Sequence, residues 1–527
     1  MSAKNRIIVY AGVQMAEVNR NIFGFNIEHI PGLIYRAIFD EGNPLSDEKG
    51  FRRDVIEACR RIKLPILRWP GGNFASGYNW LDGVGPKDER PTLYDLAWRA
   101  EETNRFGTDE FIEFCRLTGT EPFITVNAGS GTSLEAARWV EYCNSRGNTY
   151  YAKLREKHGH PEPYNVKYWS IGNEMWGDFQ IGNLPAKEYA WKARDFAKLM
   201  RRVDPNINLT AVGHTLEASP EWNLTVLTTL FDLTDNISVH QYYFRLLTED
   251  EEENYYRVLA CPVHADEKLK IVESTIDVAS AIYRARGLGE EIFAPLPQPA
   301  EKEVGISFDE WNISGCHTLR DALGICRLLN VFQKHAKYLK IACMFPLIHD
   351  HERIRRIGRR ESFHSPLTAY RDTLVLEAGY HAFDLYINHT GEISVLSKVE
   401  SETYSLSDVS AKNKELVPEA SSFKNIPFLD VSATMSKDGK TLYIAVVNAH
   451  RDKDIECLIE LRDFTPDKIG QIFELNAKDV NAYNDKENRN NVKVMEKPYI
   501  EVSERFTYTF PAHSATVIKI PIAHHLI

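Results

Sequence analysis

Short apolar runs alternate with longer segments of helical periodicity from about residue 20 to about residue 350 of this chain. Helix-like segments such as Asp54–Arg61, Thr108–Leu117, Leu134–Cys143 and Ala186–Arg202 separate eight apolar runs of strand length. The eight runs are Ile22–Ile27, Leu64–Trp69, Pro122–Val126, Val166–Ile171, Leu209–Val212, Ile237–His240, Val304–Phe308 and Leu339–Phe345. This alternation is typical of βα units with a parallel sheet, and eight units predict a closed (β/α)8 barrel.

An open, doubly wound α/β sheet is the competing architecture for the same alternation. Many sheets of that kind bind phosphate at a glycine-rich turn after their first strand. No such turn follows Ile22–Ile27. The count of eight strands also favours the barrel.

The pattern changes after about residue 375 to period-2 segments separated by turn residues, which predict an antiparallel β-sandwich. Examples are Leu442–Val447, Glu456–Leu461, Lys468–Leu475 and Thr507–Ile520. The amino-terminal strand Arg6–Tyr10 precedes the barrel and is expected to join this sheet. Since 527 residues exceed one ordinary core, we predict two domains. The catalytic barrel spans residues 18–374, and a jelly-roll-like sandwich is formed by residues 1–17 and 375–527.

Charge and composition exclude several function classes. The net charge of −11 disfavours a sequence-independent grip on phosphate backbones, so nucleic acid is not an expected partner. The sequence has no signal-peptide pattern and no apolar stretch of membrane-spanning length, which predicts a cytoplasmic protein without a membrane partner. Its eight cysteines are scattered without a CxxC pair, so we expect reduced thiols rather than a disulfide framework or a zinc site.

Two glutamates stand where a barrel strand opens into a loop. Glu174 follows the fourth apolar run, and Glu310 follows the seventh. Strands four and seven lie across a barrel from each other, and active sites of such barrels lie at the carboxyl ends of the strands. Glycoside hydrolysis requires a carboxylic acid that protonates the leaving oxygen and a second carboxylate at the anomeric carbon. Either glutamate alone is equally well read as a surface carboxylate, but their joint placement favours a catalytic pair.

Five segments resemble those of the α-L-arabinofuranosidases of glycoside hydrolase family 51, in order from the first to the seventh strand. They are GFNIEH at 24–29, RWPGGNFASGYNW at 68–80, WSIGNEM at 169–175, GDFQIG at 177–182 and ISFDEWN at 306–312. The resemblance implies a retaining exo-hydrolase that removes terminal α-L-arabinofuranosyl residues from arabinose-containing oligosaccharides. It assigns Glu310 as the nucleophile and Glu174 as the general acid/base. It implies no cofactor and no metal, and it implies a homo-oligomer, since relatives are often hexamers.

The same resemblance implies further substrate-binding residues. Glu28, Asn73 and Asn173 match positions that hydrogen-bond the sugar hydroxyls, with Asn173 at the 2-OH. On the sixth strand, His240 and a tyrosine match positions of the site. We favour Tyr242 over its neighbour because alternation along a strand places it on the same side as His240.

Aromatic residues are expected at the rim of the pocket. Trp98 resembles a family tryptophan that stacks against the substrate. Trp176 and Trp311 follow the two catalytic glutamates and are candidates for the pocket wall. Ordinary packing in the core is the alternative role for each of the three.

The sequence departs from the family after the eighth strand, where it reads HDHERIRRIGRR at 349–360. This segment is either a solvated loop or subunit contact, or it brings Arg353, Arg355 and Arg356 over the pocket mouth. His349, Asp350 and His351 are not expected to bind a metal, because a third ligand of suitable spacing is missing. The departure leaves β-D-xylosides, β-D-galactofuranosides and glucan bonds as alternative substrates. A non-catalytic carbohydrate-binding protein is the alternative of a different class.

Overall fold

The computed structural model describes residues 5–216, 218–243, 250–285, 302–313, 317–352, 365–406 and 423–523. Eight parallel strands close into a barrel, with the eighth strand hydrogen-bonded to the first. They are Gly24–Asn26, Ile66–Trp69, Glu121–Val126, Tyr168–Ile171, Asn208–Ala211, Asn236–Tyr242, Gly305–Asn312 and Leu339–Met344. All eight predicted runs are therefore confirmed as barrel strands.

The barrel helices follow the strands as expected. They are Arg53–Arg61, Thr108–Thr118, Ser133–Asn144, Tyr150–Lys157, Ala186–Val203, Ser219–Leu230, Glu251–Ala285 and Leu319–Lys334. Two of them begin with a capping box. Thr132 and Thr318 each accept a hydrogen bond from the backbone N–H three residues later, and the acidic side chain of that later residue accepts from the N–H of the threonine. No helix of the described residues is long and apolar enough to cross a membrane.

One further helix, Ala378–His389, packs on the barrel rather than belonging only to the second domain. Its Phe383 ring lies 4.4 Å from the ring of Phe25 on the first barrel strand and 6.2 Å from that of Trp311 on the seventh. The domain boundary predicted from the sequence, at residue 374, assigns this helix to the sandwich. We place it with the barrel as the helix that follows the eighth strand, because its apolar face is buried there.

The second domain is built on a single nine-stranded sheet. In chain order its strands are Arg6–Glu17, Ile393–Glu400, Leu429–Met435, Thr441–Asn448, Ile455–Arg462, Ile469–Asn476, Lys493–Glu501, Arg505–Phe510 and Ser514–Pro521. The amino-terminal strand lies inside the sheet, antiparallel to Ile393–Glu400 and parallel to Ile455–Arg462. Side chains from both ends of the sheet share one core of buried aliphatic and aromatic residues, which gives the predicted sandwich.

The predicted strand Thr507–Ile520 is wrong in one respect, because the structure divides it into two strands. Arg505–Phe510 pairs with Ile455–Arg462, and Ser514–Pro521 pairs with Thr441–Asn448. The break falls at Pro511, which has no N–H to give to a ladder. Asn448 Nδ2 donates to the carbonyls of Phe510 and Pro511 and holds the corner.

Seven short strands lie outside the barrel and the nine-stranded sheet in the described part of the chain. A hairpin of Leu93–Asp95 and Ala100–Glu102 projects after the second barrel strand. Ile348–Asp350, Leu367–Ala369 and Leu374–Leu376 form a small sheet after the eighth strand, and Thr403–Tyr404 pairs with Ile426–Pro427. The hairpin and the small sheet extend the loops at the carboxyl ends of the barrel strands, which is the face expected to hold the site.

Candidate active site

Glu174 and Glu310 meet at the carboxyl-terminal face of the barrel. A carboxylate oxygen of each lies within 4.8 Å of the other, and the two residues are only 9% and 7% exposed. Retaining glycosidases place their two carboxyl groups about 5 to 5.5 Å apart, whereas inverting ones leave room for a water at about 6.5 to 9.5 Å. The separation therefore matches the retaining geometry.

The backbone after the fourth strand turns sharply to present Glu174. Gly172 has φ 88° and Glu174 has φ 42°, a left-handed conformation that is uncommon for a residue with a side chain. The N–H of Gly177 donates to the Glu174 carbonyl at 2.8 Å and closes the turn. Strain of this kind is found at functional sites, where surrounding structure holds it.

An irregularity in the seventh strand brings two adjacent acids into the barrel. Neighbouring side chains of a regular strand point to opposite sides. Here the register with the sixth strand shifts between Ser307 and Glu310, and both Asp309 and Glu310 form ion pairs with the interior side chain of Arg68. The bulge thus re-aims side chains at the site, a recurrent use of such irregularities.

His240 and Tyr242 connect the sixth strand to the two glutamates. His240 Nδ1 lies 2.9 Å from Glu174 Oε1, and the Tyr242 hydroxyl donates to Glu310 Oε1 at 2.7 Å. The hydroxyl of Tyr243 instead lies 3.0 Å from His264 Nδ1, behind the strand. Alternation along the strand therefore puts His240 and Tyr242 on the side of the carboxylates.

Arg68 is the main residue of the site to which the sequence assigned no role. Its side chain is fully buried and donates to Glu310 Oε2 at 3.0 Å and to Asn173 Oδ1 at 2.7 Å. Burial opposes its charge, but Asp309 and Glu310 outweigh that cost and raise its pKa. The sequence feature that could have indicated this role is an arginine within an apolar barrel strand, because a buried arginine needs anionic partners.

Glu28 and Trp98 form a second hydrogen-bonded pair beside the glutamates. Glu28 Oε1 accepts from the Phe74 N–H and from Trp98 Nε1, each at 2.9 Å. Burial, with a smaller effect of the nearby Glu310 charge, raises the pKa of Glu28 to about 7. Trp98 remains 38% exposed on the projecting hairpin. It therefore borders the pocket while its indole N–H is tied to a buried carboxyl.

Two glycines let the chain pass close to the acids. A side chain on Gly71, at φ 125°, would overlap the Cγ of Glu28 at 2.1 Å. One on Gly72 would lie 3.1 Å from both Glu310 Oε2 and Asn173 Nδ2. Asn73, which begins the short helix Asn73–Gly77, is partly exposed next to this contact. Glu28 and Asn173 thus lie beside Glu310, and Asn73 directly follows the same glycine turn.

The chain matches protein-family models along most of its length. Residues 58–257 match the family model described as α-L-arabinofuranosidase 1 domain, and residues 309–514 match the α-L-arabinofuranosidase C-terminal domain. A protein of Aspergillus clavatus named probable α-L-arabinofuranosidase C is 35% identical, over 97% of this chain and 96% of its own length. The chain belongs to the α-L-arabinofuranosidases of glycoside hydrolase family 51.

Solved structures and a bacterial relative agree with this family 51 assignment. The α-L-arabinofuranosidase of Thermotoga maritima in complex with arabinose is 41% identical, with a TM-score of 0.85 over 98% of this chain and 100% of that one. The Bacillus subtilis protein named intracellular exo-α-(1→5)-L-arabinofuranosidase 1 is 33% identical, over 98% of this chain and 99% of its own length. The family 51 chain is therefore a glycoside hydrolase.

Trp311 does not wall the pocket of this family 51 enzyme, which corrects the sequence expectation. Its side chain is fully buried, and its ring lies 5.4 Å from that of Phe332 and 6.2 Å from that of Phe383. It follows Glu310 on the strand, and alternation turns it outward under the helices. Trp176 behaves differently, since it is only partly buried and stacks on His214 with ring centres 4.2 Å apart.

His349, Asp350 and His351, after the eighth strand, each contact a different neighbour. His349 lies 3.3 Å from the hydroxyl of Thr368, Asp350 pairs with Arg36, and the His351 ring stacks on Tyr370. These three side chains therefore serve separate contacts. Arg353, Arg355 and Arg356 lie outside the residues that the structure describes.

Among the residues described, only one cluster of this family 51 enzyme has donor atoms close enough to share an ion. These donors belong to Glu174, His240 and Glu310. Burial opposes the charge of His240, but Glu310, Asp309 and Glu174 outweigh it and raise its pKa to about 10. A histidine must be neutral to ligate a metal, so the charge of His240 disfavours a cation at this position.

Proposed function

We propose that this enzyme removes terminal, non-reducing α-L-arabinofuranosyl residues from arabino-oligosaccharides or arabinoxylan fragments with retention of configuration. The observation that carries the proposal is the close approach of the Glu174 and Glu310 carboxylates across the barrel mouth. Family membership supports the sugar, since relatives bear the name arabinofuranosidase. The short separation supports a covalent intermediate rather than a single displacement.

The first half of the reaction forms an ester on Glu310. Its oxygens accept hydrogen bonds from Tyr242 and Arg68, which aim the carboxylate at the anomeric carbon. Burial raises the pKa of Glu174, so this group holds a proton to give away. As Glu310 attacks, the bond from the anomeric carbon to the leaving oxygen breaks, and that oxygen takes the proton of Glu174.

The second half returns both carboxyl groups to their starting states. Glu174, now ionised, removes a proton from water while the water oxygen attacks the anomeric carbon. The ester bond to Glu310 breaks, and the electron pair returns to its carboxylate. Two inversions give L-arabinose with the configuration of the substrate.

Polar groups around the pair suit a furanose ring, which offers several hydroxyls and little apolar surface. The buried Nδ2 of Asn173 has no hydrogen-bond partner among the described residues, so it is free to donate to a sugar hydroxyl. Glu28 and Asn73 supply further donors or acceptors on the neighbouring loops. Trp98 supplies an exposed ring that is fixed through its indole N–H.

The setting of the reaction is inferred from relatives. We infer cytoplasmic action on oligosaccharides because the Bacillus subtilis relative is named intracellular. The seven cysteines in the described part are free and buried, which suits a reducing compartment. The family resemblance supports a homo-oligomer, with a hexamer as the expected form. Light scattering of the purified protein tests the oligomer, and cell fractionation tests the compartment.

Rescue by azide tests the two assignments separately. In Glu310→Ala, azide replaces the nucleophile in one displacement, so the product is the β-L-arabinofuranosyl azide. In Glu174→Ala, azide replaces water on the ester, and two inversions give the α-azide. Glu188 is exposed on the helix Ala186–Val203, and Glu188→Ala is the matched control that retains full activity without azide. The same azide anomer from both variants would refute the assignment.

A panel of nitrophenyl glycosides tests the sugar. The arabinofuranoside should have the highest kcat/KM of the panel. Faster turnover of the β-D-xyloside or the β-D-galactofuranoside would replace the proposed substrate while leaving the mechanism intact.

A further inference from the structure

Asp309 lies directly behind the catalytic pair and has no access to the pocket. Its side chain is 0% exposed. Its Oδ1 accepts from the Ser238 hydroxyl and lies 3.5 Å from His240 Nε2, and its Oδ2 lies 3.3 Å from Arg68 Nε. This carboxylate therefore contacts the two cations that bind the reacting glutamates, but it cannot contact a sugar.

The charged groups around His240 come from three other barrel strands and one loop. Glu174 approaches from the fourth strand and Asp309 and Glu310 from the seventh, and Arg68 on the second strand pairs with the latter two. The remaining neighbour is His214, in the loop after the fifth strand, and burial lowers its pKa to about 4. Within this set Asp309 is an ionised acid that takes no part in the reaction, since Arg68 and His240 overcome the effect of burial and lower its pKa.

We propose that Asp309 is a positioning residue that fixes Arg68 and keeps His240 positively charged throughout the catalytic cycle. The inference deepens the proposed function, on which its catalytic part rests. A charged imidazole carries protons on both nitrogens. Nδ1–H then donates to Glu174, and Nε2–H faces Asp309. His240 has no free lone pair, so Glu174 exchanges its proton only with the leaving group and with water.

The same carboxylate stabilises the position of Arg68. The guanidinium has to bond Glu310 through Nη1 and Asn173 through Nη2 at once. The ion pair at Nε holds the third edge of this planar group. Without that pair the guanidinium can rotate, and Glu310 loses its alignment with the anomeric carbon.

The direct test is the protonation state of His240 in Asp309→Asn, read from imidazole ¹⁵N shifts of histidine-labelled enzyme. The His240 signals are those missing from His240→Gln. We expect a wild-type imidazole that stays charged between about pH 5 and pH 9, and an Asp309→Asn imidazole that titrates within that window. The proposal is overturned by a wild-type His240 that loses its proton near neutral pH, or by a folded Asp309→Asn in which the titration does not move.

Kinetics provide the second readout. Misalignment of Glu310 should lower kcat for an aryl arabinofuranoside by about 100-fold in Asp309→Asn, with a much smaller change in KM. Asp232→Asn is the matched control, because Asp232 is 6% exposed and pairs with Arg194 at 2.6 Å far from the barrel mouth. It should leave the His240 titration and kcat unchanged. An unchanged kcat in Asp309→Asn would overturn the positioning role.

Ser238→Ala covers the case in which Asp309→Asn does not fold. It removes only the hydroxyl that donates to Asp309 Oδ1, and it should shift the His240 titration in the same direction by a smaller amount. No shift in Ser238→Ala, with Asp309→Asn unfolded, would also count against the proposal. If the proposed function itself were wrong, wild-type enzyme would not hydrolyse arabinofuranosides, whereas the ¹⁵N titration would be unaffected.

Discussion

The hydroxyl of Tyr242 donates a 2.7 Å hydrogen bond to Oε1 of Glu310, across 68 positions of sequence. Arg68 supplies the corresponding donor to Oε2 at 3.0 Å. The carboxylate is therefore held from both sides in one orientation. Burial and the charge of Glu310 raise the pKa of Tyr242 well above its ordinary value, so the phenol remains a donor over the whole working range.

Tyr242→Phe tests this contact with the loss of a single oxygen atom. A hydrogen bond to a charged group is worth about 1.5 to 3 kcal/mol, so kcat should fall by roughly 10- to 100-fold. Steady-state kinetics on an aryl arabinofuranoside measure the change. Tyr243→Phe is the control, since that hydroxyl bonds His264. Equal losses in both variants would mean that the effect is structural.

Glu174→Ala should be most harmful to substrates with poor leaving groups. Protonation by a general acid contributes about 10²- to 10⁴-fold, and a good leaving group needs little of it. The formation of the arabinosyl ester should therefore become steeply dependent on leaving-group pKa. Pre-steady-state bursts over a series of aryl arabinofuranosides provide the measurement. A uniform loss over the series would contradict the acid role.

Trp311→Ala should lower stability without weakening substrate binding. The ring is fully buried between Phe332 and Phe383, and truncation of a buried aromatic residue costs about 3 to 5 kcal/mol. Urea unfolding and KM are to be measured together. Trp191 is 60% exposed, so Trp191→Ala should change neither quantity. A raised KM at unchanged stability would restore Trp311 to the pocket wall.

His381 should make the enzyme sensitive to mild acid. It is 4% exposed, and neither ring nitrogen has a hydrogen-bond partner in the described part of the chain. Burial is the main cause that lowers its pKa from 6.5 to about 4. Because the folded pKa lies below the unfolded value, its contribution is intact above about pH 6.5 and is lost as pH falls towards about 4.

His381→Leu should remove this sensitivity, because leucine cannot bind the proton that the unfolded state gains. The difference amounts to about 3 kcal/mol between neutral pH and about pH 4. Urea midpoints of wild type and variant over this range provide the measurement. Parallel pH profiles for the two proteins would show that His381 is not the acid-sensitive group.

The periodicity of apolar residues was sufficient to predict the architecture, because each strand and helix imposes its own spacing on the residues that it buries. Buried parallel strands read as apolar runs, and helices of 3.6-residue period separate them, so all eight barrel strands could be located. The same alternation predicted that His240 and Tyr242 share a side of the sixth strand. It did not assign the helix Ala378–His389 to the barrel, and we make that assignment from the packing of the helix on Phe25 and Trp311.

By itself the sequence determined the fold class and the placement of Glu174 and Glu310 on strands four and seven. Only the tertiary structure decided which side chains support them. The bulge before Glu310 turns Asp309 inward as well, whereas simple alternation would have sent it out. Arg68 gains its partners from strands that lie 105 and 242 residues away in the chain. Such contacts depend on barrel closure and on packing in a low-dielectric interior, which no local pattern encodes.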